Sequence, residues 1–159
     1  MNLIVGIGDM KISKSPDILT TIGLGSCIGI AIYDPITRIG GLSHIMLPDS
    51  SQVPDVKESH KFADLSIPIL VDKLQTLGVK RANMRAKIAG GASMFKFSDK
   101  TMMMNIGERN SEAVLSKLRE LKIPVISIEV GGEKGRTMVL DLDSGVVRLK
   151  IVGAGIKEI

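Results

Sequence analysis

The chain has 159 residues, of which 44% are hydrophobic and 3% aromatic, with one cysteine and a formal net charge of +4. This length fits one domain, residues 1–159, that buries its own core, and a lone cysteine excludes an internal disulfide, so we expect a reducing, cytoplasmic compartment. Basic residues are scattered among acidic ones rather than clustered, and aromatic residues are few, which argues against nucleic-acid binding. No apolar run reaches the ~20 residues of a membrane span, which argues against membrane insertion.

Seven short runs rich in β-branched residues predict strands. They are residues 3–7, 28–33, 39–47, 84–89, 125–130, 137–141 and 146–152. The last two runs flank Asp143-Ser144-Gly145, a sequence typical of a hairpin turn.

Two segments have the apolar spacing of helices. In residues 62–77 the apolar side chains recur every three to five positions, Gly78 follows as a stop signal, and Pro68 predicts a kink or a late start. The second segment runs from about 106 to 121. The patterns together predict an α+β fold in which a mostly antiparallel β core carries two helices.

The second helix also carries a candidate start signal. Asn105 and Glu108 have the spacing of a capping pair, in which each side chain bonds the backbone of the other. The sequence "KIP" at 122–124 ends the segment.

The sequence "DPIT" at 34–37 favours a tight antiparallel hairpin between the second and third runs. If these four residues form the loop, Ile32 faces Ile39 and Cys27 lies directly opposite His44. Directly opposed residues have Cβ atoms about 4.5–5.5 Å apart, so the thiol and the imidazole could share a proton.

The two faces of this hairpin differ in side-chain size. Small residues dominate the face of Cys27, whereas the other face carries isoleucines; the first set is Gly29, Ala31, Gly40 and Leu42, and the second is Ile28, Ile30, Ile32, Ile39 and Ile45. We therefore expect one face to pack the core and the other to leave room beside Cys27.

A cysteine beside a histidine is the arrangement of a nucleophilic site, because the imidazole takes the thiol proton and later protonates a leaving amine. The preceding "GLGSC" can turn sharply and direct backbone N–H groups at a developing oxyanion. The N–H of Cys27 is the natural first donor, and Ser26 and Gly25 are further candidates for the oxyanion site or cleft.

Ordinary structural roles compete with this interpretation. Free cysteines are often small inert core residues, and a strand histidine can be half-buried with its hydrogen bonds satisfied. The group that would orient the imidazole is also left open by the residues alone, because four neighbours are chemically eligible: Thr20, Thr21, Ser26 and Ser43.

Five sequence blocks follow one another in a family-specific order: "LGSCIGIAIYD", "GGLSHIMLP", "AKIAGGASMF", "IGERN" and "GGEKGR". In this order they resemble CheD, the family of bacterial chemoreceptor glutamine deamidases. The resemblance covers about 20–150. It implies that Cys27 is the nucleophile, that His44 is the general base and acid, and that Thr21 orients His44.

The resemblance also implies a fold, a chemistry and partners. The fold is an α+β arrangement with a β-sandwich and packed helices, similar to the catalytic domain of cytotoxic necrotizing factor toxins. No metal or organic cofactor is expected. The implied partners are the cytoplasmic domain of a chemoreceptor, as substrate, and the phosphatase CheC. Hydrolysis of glutamyl methyl esters is a plausible companion reaction, and a non-enzymatic adaptor is the competing class.

Overall fold

The computed structural model describes residues 1–51, 53–93 and 105–159 of the chain, and within them ten strands form two five-stranded sheets. The first sheet has the order β1-β3-β8-β9-β10 and the second the order β2-β5-β4-β6-β7. The strands are β1 (Asn2–Ile4), β2 (Met10–Lys14), β3 (Ile18–Leu24), β4 (Ile28–Asp34), β5 (Ile39–Ile45), β6 (Arg85–Gly90), β7 (Val125–Val130), β8 (Arg136–Asp141), β9 (Val147–Ile151) and β10 (Gly155–Glu158).

The predicted α+β class with two helices is confirmed, but both sheets are mixed. β1 pairs with β3 in parallel, and β6 pairs with β7 in parallel, while the other neighbours are antiparallel. The sequence patterns do not predict β2, β3 or β10. The first and last of these are polar edge strands, and β3 carries two buried threonines in place of the expected apolar alternation.

Two helices, α1 (Ala63–Thr76) and α2 (Ile106–Glu120), pack on the outer face of the second sheet. Pro68 lies inside α1, so the predicted late start is wrong. Asn105 is the N-cap residue of α2, but its side chain makes no capping hydrogen bond within the described residues, so the predicted capping pair is also wrong. Neither helix is long and apolar enough to span a membrane in the described chain.

The hairpin of β4 and β5 lies between the two layers of the core. Its isoleucine face packs against α1 and α2 through Ile28, Ile30, Ile32 and Ile45. The small-residue face packs against the first sheet, where a Cβ on Gly29 would lie 2.6 Å from Met138 Sδ. The predicted separation into two faces is confirmed. The small residues along the hairpin, however, accommodate side chains of the first sheet, such as Met138.

The register of this hairpin differs from the prediction by two residues. Asp34 pairs with Ile39, and Gly29 pairs with His44. The loop is therefore 35–38: the Arg38 N–H donates to the Asp34 carbonyl at 2.8 Å, and Arg38 has a φ of 57°. A shift of two residues preserves the faces, because side chains alternate with a period of two.

Candidate active site

The imidazole of His44 contacts the hydroxyl of Thr21 across the sandwich. Thr21 belongs to β3 of the first sheet and His44 to β5 of the second, and Thr21 Oγ1 lies 2.7 Å from His44 Nδ1. Both side chains are fully buried. Of the other eligible residues, Thr20 donates to Asn2 Oδ1 at 3.1 Å, and Ser43 pairs with Ser66 on the opposite face.

The hydrogen bonds of Thr21 define the tautomer of the imidazole. Thr21 Oγ1 also lies 2.7 Å from the Val5 carbonyl oxygen, which can only accept. A hydroxyl has one proton, so the arrangement that gives both contacts a proton has Thr21 donating to Val5 and His44 Nδ1–H donating to Thr21. Nε2 is then the basic nitrogen, and it is buried without a partner in the described residues.

The backbone of His44 is held by the turn that follows β1. The Gly8 N–H donates to the His44 carbonyl at 2.9 Å, and the His44 N–H donates to the Asp9 carbonyl at 3.0 Å. The same segment supplies the Val5 carbonyl that accepts the hydrogen bond from the Thr21 hydroxyl. Residues 5–9 therefore position both the main chain and, through Thr21, the side chain of His44.

Cys27 precedes β4 and is half-buried, with a free thiol. Its carbonyl accepts from the Gly91 N–H at 2.8 Å, a bond that continues the ladder between β4 and β6. Continuing the β4–β5 register by one residue places Cys27 opposite Met46, so His44 is a diagonal neighbour at about 7–8 Å between Cα atoms. The predicted direct opposition of Cys27 and His44 is wrong, but the two residues remain neighbours.

Close backbone packing explains the two glycines at the end of β6, Gly90 and Gly91. A Cβ on Gly90 would overlap the carbonyl oxygen of Cys27, and Gly90 has a φ of 116°, which other residues rarely adopt. The Gly131 N–H donates to the Gly90 carbonyl at 3.0 Å, so the loop at Gly131-Gly132 supports the loop at Gly90-Gly91. The two loops together form the wall behind the Cys27 backbone. Met94 and Phe95 of the "AKIAGGASMF" block lie outside the described residues.

Arg136 stabilises this wall from inside the protein. Its side chain is buried and donates to the carbonyls of Gly90 at 3.2 Å and Gly131 at 2.7 Å. Glu129 lies 3.8 Å from the guanidinium. Sequence reasoning did not single out Arg136, although the "GGEKGR" block ends on it.

Burial changes the pKa of both titratable side chains, Cys27 and His44. It lowers the pKa of His44 from 6.5 to about 4, and it raises the pKa of the Cys27 thiol, partly offset by the thiol's contact with the backbone N–H of Cys27. Burial disfavours the charged form of each group. At neutral pH the resting pair is therefore a neutral thiol and a neutral imidazole.

The candidate oxyanion donors differ in their availability. The Gly25 N–H donates to the Gly23 carbonyl at 3.1 Å, so it is engaged within its own turn. Within the described residues the N–H groups of Ser26 and Cys27 have no backbone carbonyl acceptor. Ser26 and Cys27 thus supply the N–H groups that could meet a developing negative charge.

Asn110 of α2 connects the loop that precedes Cys27 to the residue that follows β5, and the sequence patterns did not predict this role. Its Nδ2 donates to the carbonyls of Ser26 and Met46, each at 2.9 Å. These contacts join positions 84 and 64 residues apart, so no local pattern signals them. In the described part of the chain no group of three or more His, Cys, Asp or Glu residues could hold a metal ion.

Comparisons with known proteins identify relatives over nearly the whole chain. The family described as "CheD chemotactic sensory transduction" matches residues 46–151, a span that begins two residues after His44. Proteins named "Probable chemoreceptor glutamine deamidase CheD" from Clostridium botulinum and Clostridium tetani are each 59% identical over 98% of this chain. These alignments cover 96% and 94% of the two relatives.

One solved structure is also similar, the Bacillus licheniformis hypothetical protein YfiH. It has a TM-score of 0.47 and 18% sequence identity, and the match covers 77% of this chain and 49% of the other.

Proposed function

This chain belongs to the CheD family, and from that premise we propose that it deamidates glutamine side chains of chemoreceptors to glutamate, with Cys27 as the nucleophile. The observation that carries the proposal is the buried Thr21–His44 hydrogen bond, which leaves Nε2 of His44 as an unpartnered base in the described structure. A half-buried thiol lies one diagonal position away. Thiol, base and orienting hydroxyl together are the components of a cysteine hydrolase.

In the first half-reaction His44 Nε2 takes the thiol proton as the Cys27 sulfur attacks the side-chain carbonyl carbon of glutamine. The carbonyl oxygen becomes an oxyanion, which the N–H groups of Cys27 and Ser26 stabilise. His44 is now an imidazolium whose Nδ1–H donates to Thr21. It returns the proton from Nε2 to the nitrogen, the C–N bond breaks, and ammonia leaves a glutamyl thioester.

In the second half-reaction water attacks the thioester carbon while His44 Nε2 accepts one of its protons. The C–S bond breaks, glutamate is released, and the proton returns to the Cys27 sulfur. A histidine with a pKa of about 4 is a weak base but stays unprotonated across the physiological range. The mechanism therefore starts from a neutral pair and forms the thiolate only as the substrate reacts.

Two further activities follow from the same reasoning. A glutamyl methyl ester presents the same carbonyl with a better leaving group, so receptor methyl esters are candidate substrates of Cys27. Binding of the phosphatase CheC, which the family resemblance implies, stays a prediction. An adaptor that only bound such partners would not require the thiol.

The test is incubation of a chemoreceptor cytoplasmic fragment with the protein in ¹⁸O-labelled water, followed by peptide mass spectrometry. We expect site-specific conversion of glutamine to labelled glutamate by wild type, and none above background by Cys27→Ala or His44→Ala. The matched control is Ser43→Ala, because Ser43 adjoins His44 but faces the helices, and we expect it to retain conversion.

Each other outcome contradicts a defined part of the proposal. Conversion by Cys27→Ala at the wild-type rate would exclude Cys27 as the nucleophile. No conversion by any of the proteins would favour the adaptor.

A further inference from the structure

Asn110 is a fully buried amide that holds the Cys27 loop in place. Its Nδ2 donates to the carbonyl of Ser26, the residue before Cys27, and to the carbonyl of Met46, the residue opposite Cys27 in the continued register. Both contacts are with oxygens that can only accept, so the nitrogen of the side-chain amide must face them. This fixes the position of Oδ1 as well.

The Oδ1 atom of Asn110 has no hydrogen-bond partner in the described residues, although it is buried. In the part of the chain that the structure describes, three buried side-chain atoms share this property: His44 Nε2, Asn110 Oδ1 and Arg136 Nε. A buried polar atom without a partner is destabilising, because it has lost its hydrogen bond to water and gained none in return. Two of the three belong to residues that flank Cys27, and both are acceptors once Nδ1 of His44 carries the proton.

The packing of α2 leaves Asn110 little freedom to move. Gly107 lies one turn before it, and a Cβ there would lie 2.6 Å from the carbonyl oxygen of Gly91. Ser111 donates to the Gly107 carbonyl at 3.0 Å. The helix is therefore packed against the segment that bonds the Cys27 carbonyl, and Asn110 is held between the Cys27 loop and the end of β5.

We propose that Asn110 Oδ1 accepts a hydrogen bond from the N–H of the substrate carboxamide and thereby selects amides over esters at Cys27. The inference rests on the proposed deamidase function and deepens it. A primary carboxamide has two N–H donors and an ester has none. One acceptor, Asn110 Oδ1, would hold the NH₂ group, so that the nitrogen lone pair that forms in the tetrahedral intermediate faces the protonated Nε2 of His44.

The contact matters for the amide reaction because nitrogen is the poorer leaving group. It leaves only after protonation, and protonation requires a defined orientation of the nitrogen lone pair. A site with a buried acceptor also discriminates against an analogue that lacks the donor, because the acceptor then stays unpaired. Asn110 would thus be a specificity-determining residue that contacts the leaving group.

The experiment compares two substrates with wild type, Asn110→Leu and Asn110→Asp. The amide substrate is the chemoreceptor fragment, assayed for glutamine conversion. The second is 4-nitrophenyl acetate, an ester without N–H groups that acylates a reactive thiol and releases a coloured product. Asn110→Leu removes donors and acceptor, whereas Asn110→Asp keeps an acceptor oxygen and loses the NH₂ group.

We expect Asn110→Leu to lower the ratio of amide to ester kcat/KM by about tenfold or more, the effect of one lost hydrogen bond of about 1.4 kcal/mol. Asn110→Asp is expected to keep the ratio within about threefold of wild type, even if both rates fall through disturbance of the loop. The ratio within one variant cancels any shared loss of folding or of thiol reactivity.

Parallel losses on both substrates in Asn110→Leu would overturn the proposal and leave Asn110 with a structural role alone. A ratio that falls as far in Asn110→Asp as in Asn110→Leu would also overturn it. Failure of the deamidase function is a separate result: wild type and Cys27→Ala would then be indistinguishable on the chemoreceptor fragment, whatever their rates on the ester.

Discussion

In the described structure each face of the β4–β5 hairpin contributes a residue to a polar pair whose two side chains are both buried, and the two pairs differ in how many of their hydrogen bonds are satisfied. On the helix face the hydroxyls of Ser43 and Ser66 lie 2.6 Å apart and bond each other. On the sandwich face Thr21 bonds His44, but Nε2 of the imidazole is left without a partner in the described residues. Neighbouring residues of one strand, Ser43 and His44, therefore belong to a closed pair and an open pair.

The difference between a satisfied and an unsatisfied pair indicates which buried polar groups are candidates for a function. A closed pair such as Ser43 and Ser66 costs little to bury, because each group satisfies the other. An open pair such as Thr21 and His44 keeps a desolvated acceptor that the fold itself does not use. We infer chemistry from the open pair and structure from the closed one, and four predictions test this distinction.

The largest effect is expected on the helix face, from Ile30→Ala. Ile30 is fully buried among the apolar residues between the second sheet and the helices. Deletion of such a side chain costs about 2–5 kcal/mol of unfolding free energy. Urea denaturation should show this loss, while the deamidation rate per folded molecule stays within about twofold of wild type. A matching loss of specific activity would contradict the separation of the faces.

The second prediction concerns acid sensitivity, which should originate on the sandwich face. The pKa of His44 is about 4 in the folded protein against 6.5 unfolded, so the unfolded chain binds the proton more readily and stability falls as pH drops from 6.5 toward 4. Between pH 7 and 4.5 this amounts to on the order of 2 kcal/mol.

The measurement is the unfolding free energy of wild type and His44→Gln across this range. The variant should lose less stability on acidification, by about that amount, and the carboxylates with lowered pKa values affect both proteins equally. Identical pH dependence of the two proteins would show that His44 is not a buried neutral imidazole.

The third prediction is that Thr21→Val lowers kcat about tenfold and the unfolding free energy by about 1–2 kcal/mol. Valine keeps the shape but leaves the Nδ1–H of His44 and the Val5 carbonyl without the hydroxyl. Because Thr21 does not contact the substrate, KM should change little. Thr21→Ser keeps a hydroxyl and is the matched control, expected near wild type; equal loss in both variants would exclude a role for the hydroxyl.

The smallest effect is expected from the closed pair on the helix face. Ser43→Ala or Ser66→Ala alone leaves one buried hydroxyl unpaired and should cost about 1 kcal/mol, whereas the double variant removes both groups and should cost less than the sum. A double-mutant cycle from thermal unfolding measures this coupling. Neither single variant should alter kcat, and a lower kcat would show that the two faces are coupled.

The segregation of the hairpin faces could be predicted from sequence, because it depends only on the alternation of Ile28, Ile30 and Ile32 with small residues. The register could not. It depends on Arg38 adopting a positive φ, which is uncommon for a non-glycine residue, and on Asp34 Oδ1 accepting from the Ile36 N–H at 2.8 Å. Together these contacts move the loop one position along the chain.

Site residues that lie close together in the sequence could be predicted, whereas those that come from distant parts of the chain could not. Cys27 and His44 are recognisable from one hairpin, whereas Thr21 lies on a strand that the patterns miss, and its role came only from family resemblance. Asn110 and Arg136 reach Ser26 and Gly90 from 84 and 46 residues away. Such contacts depend on how α2 and the first sheet pack against the second sheet. Neither hydrophobic periodicity nor turn-forming residues indicate that packing.

The position of Thr21 and His44 on different sheets has a consequence for the folding chain. Either sheet formed alone lacks the hydrogen bond between Thr21 and His44 that defines the imidazole tautomer. Under the proposed mechanism, an oriented base for the thiol proton would therefore exist only once the two sheets have packed against each other.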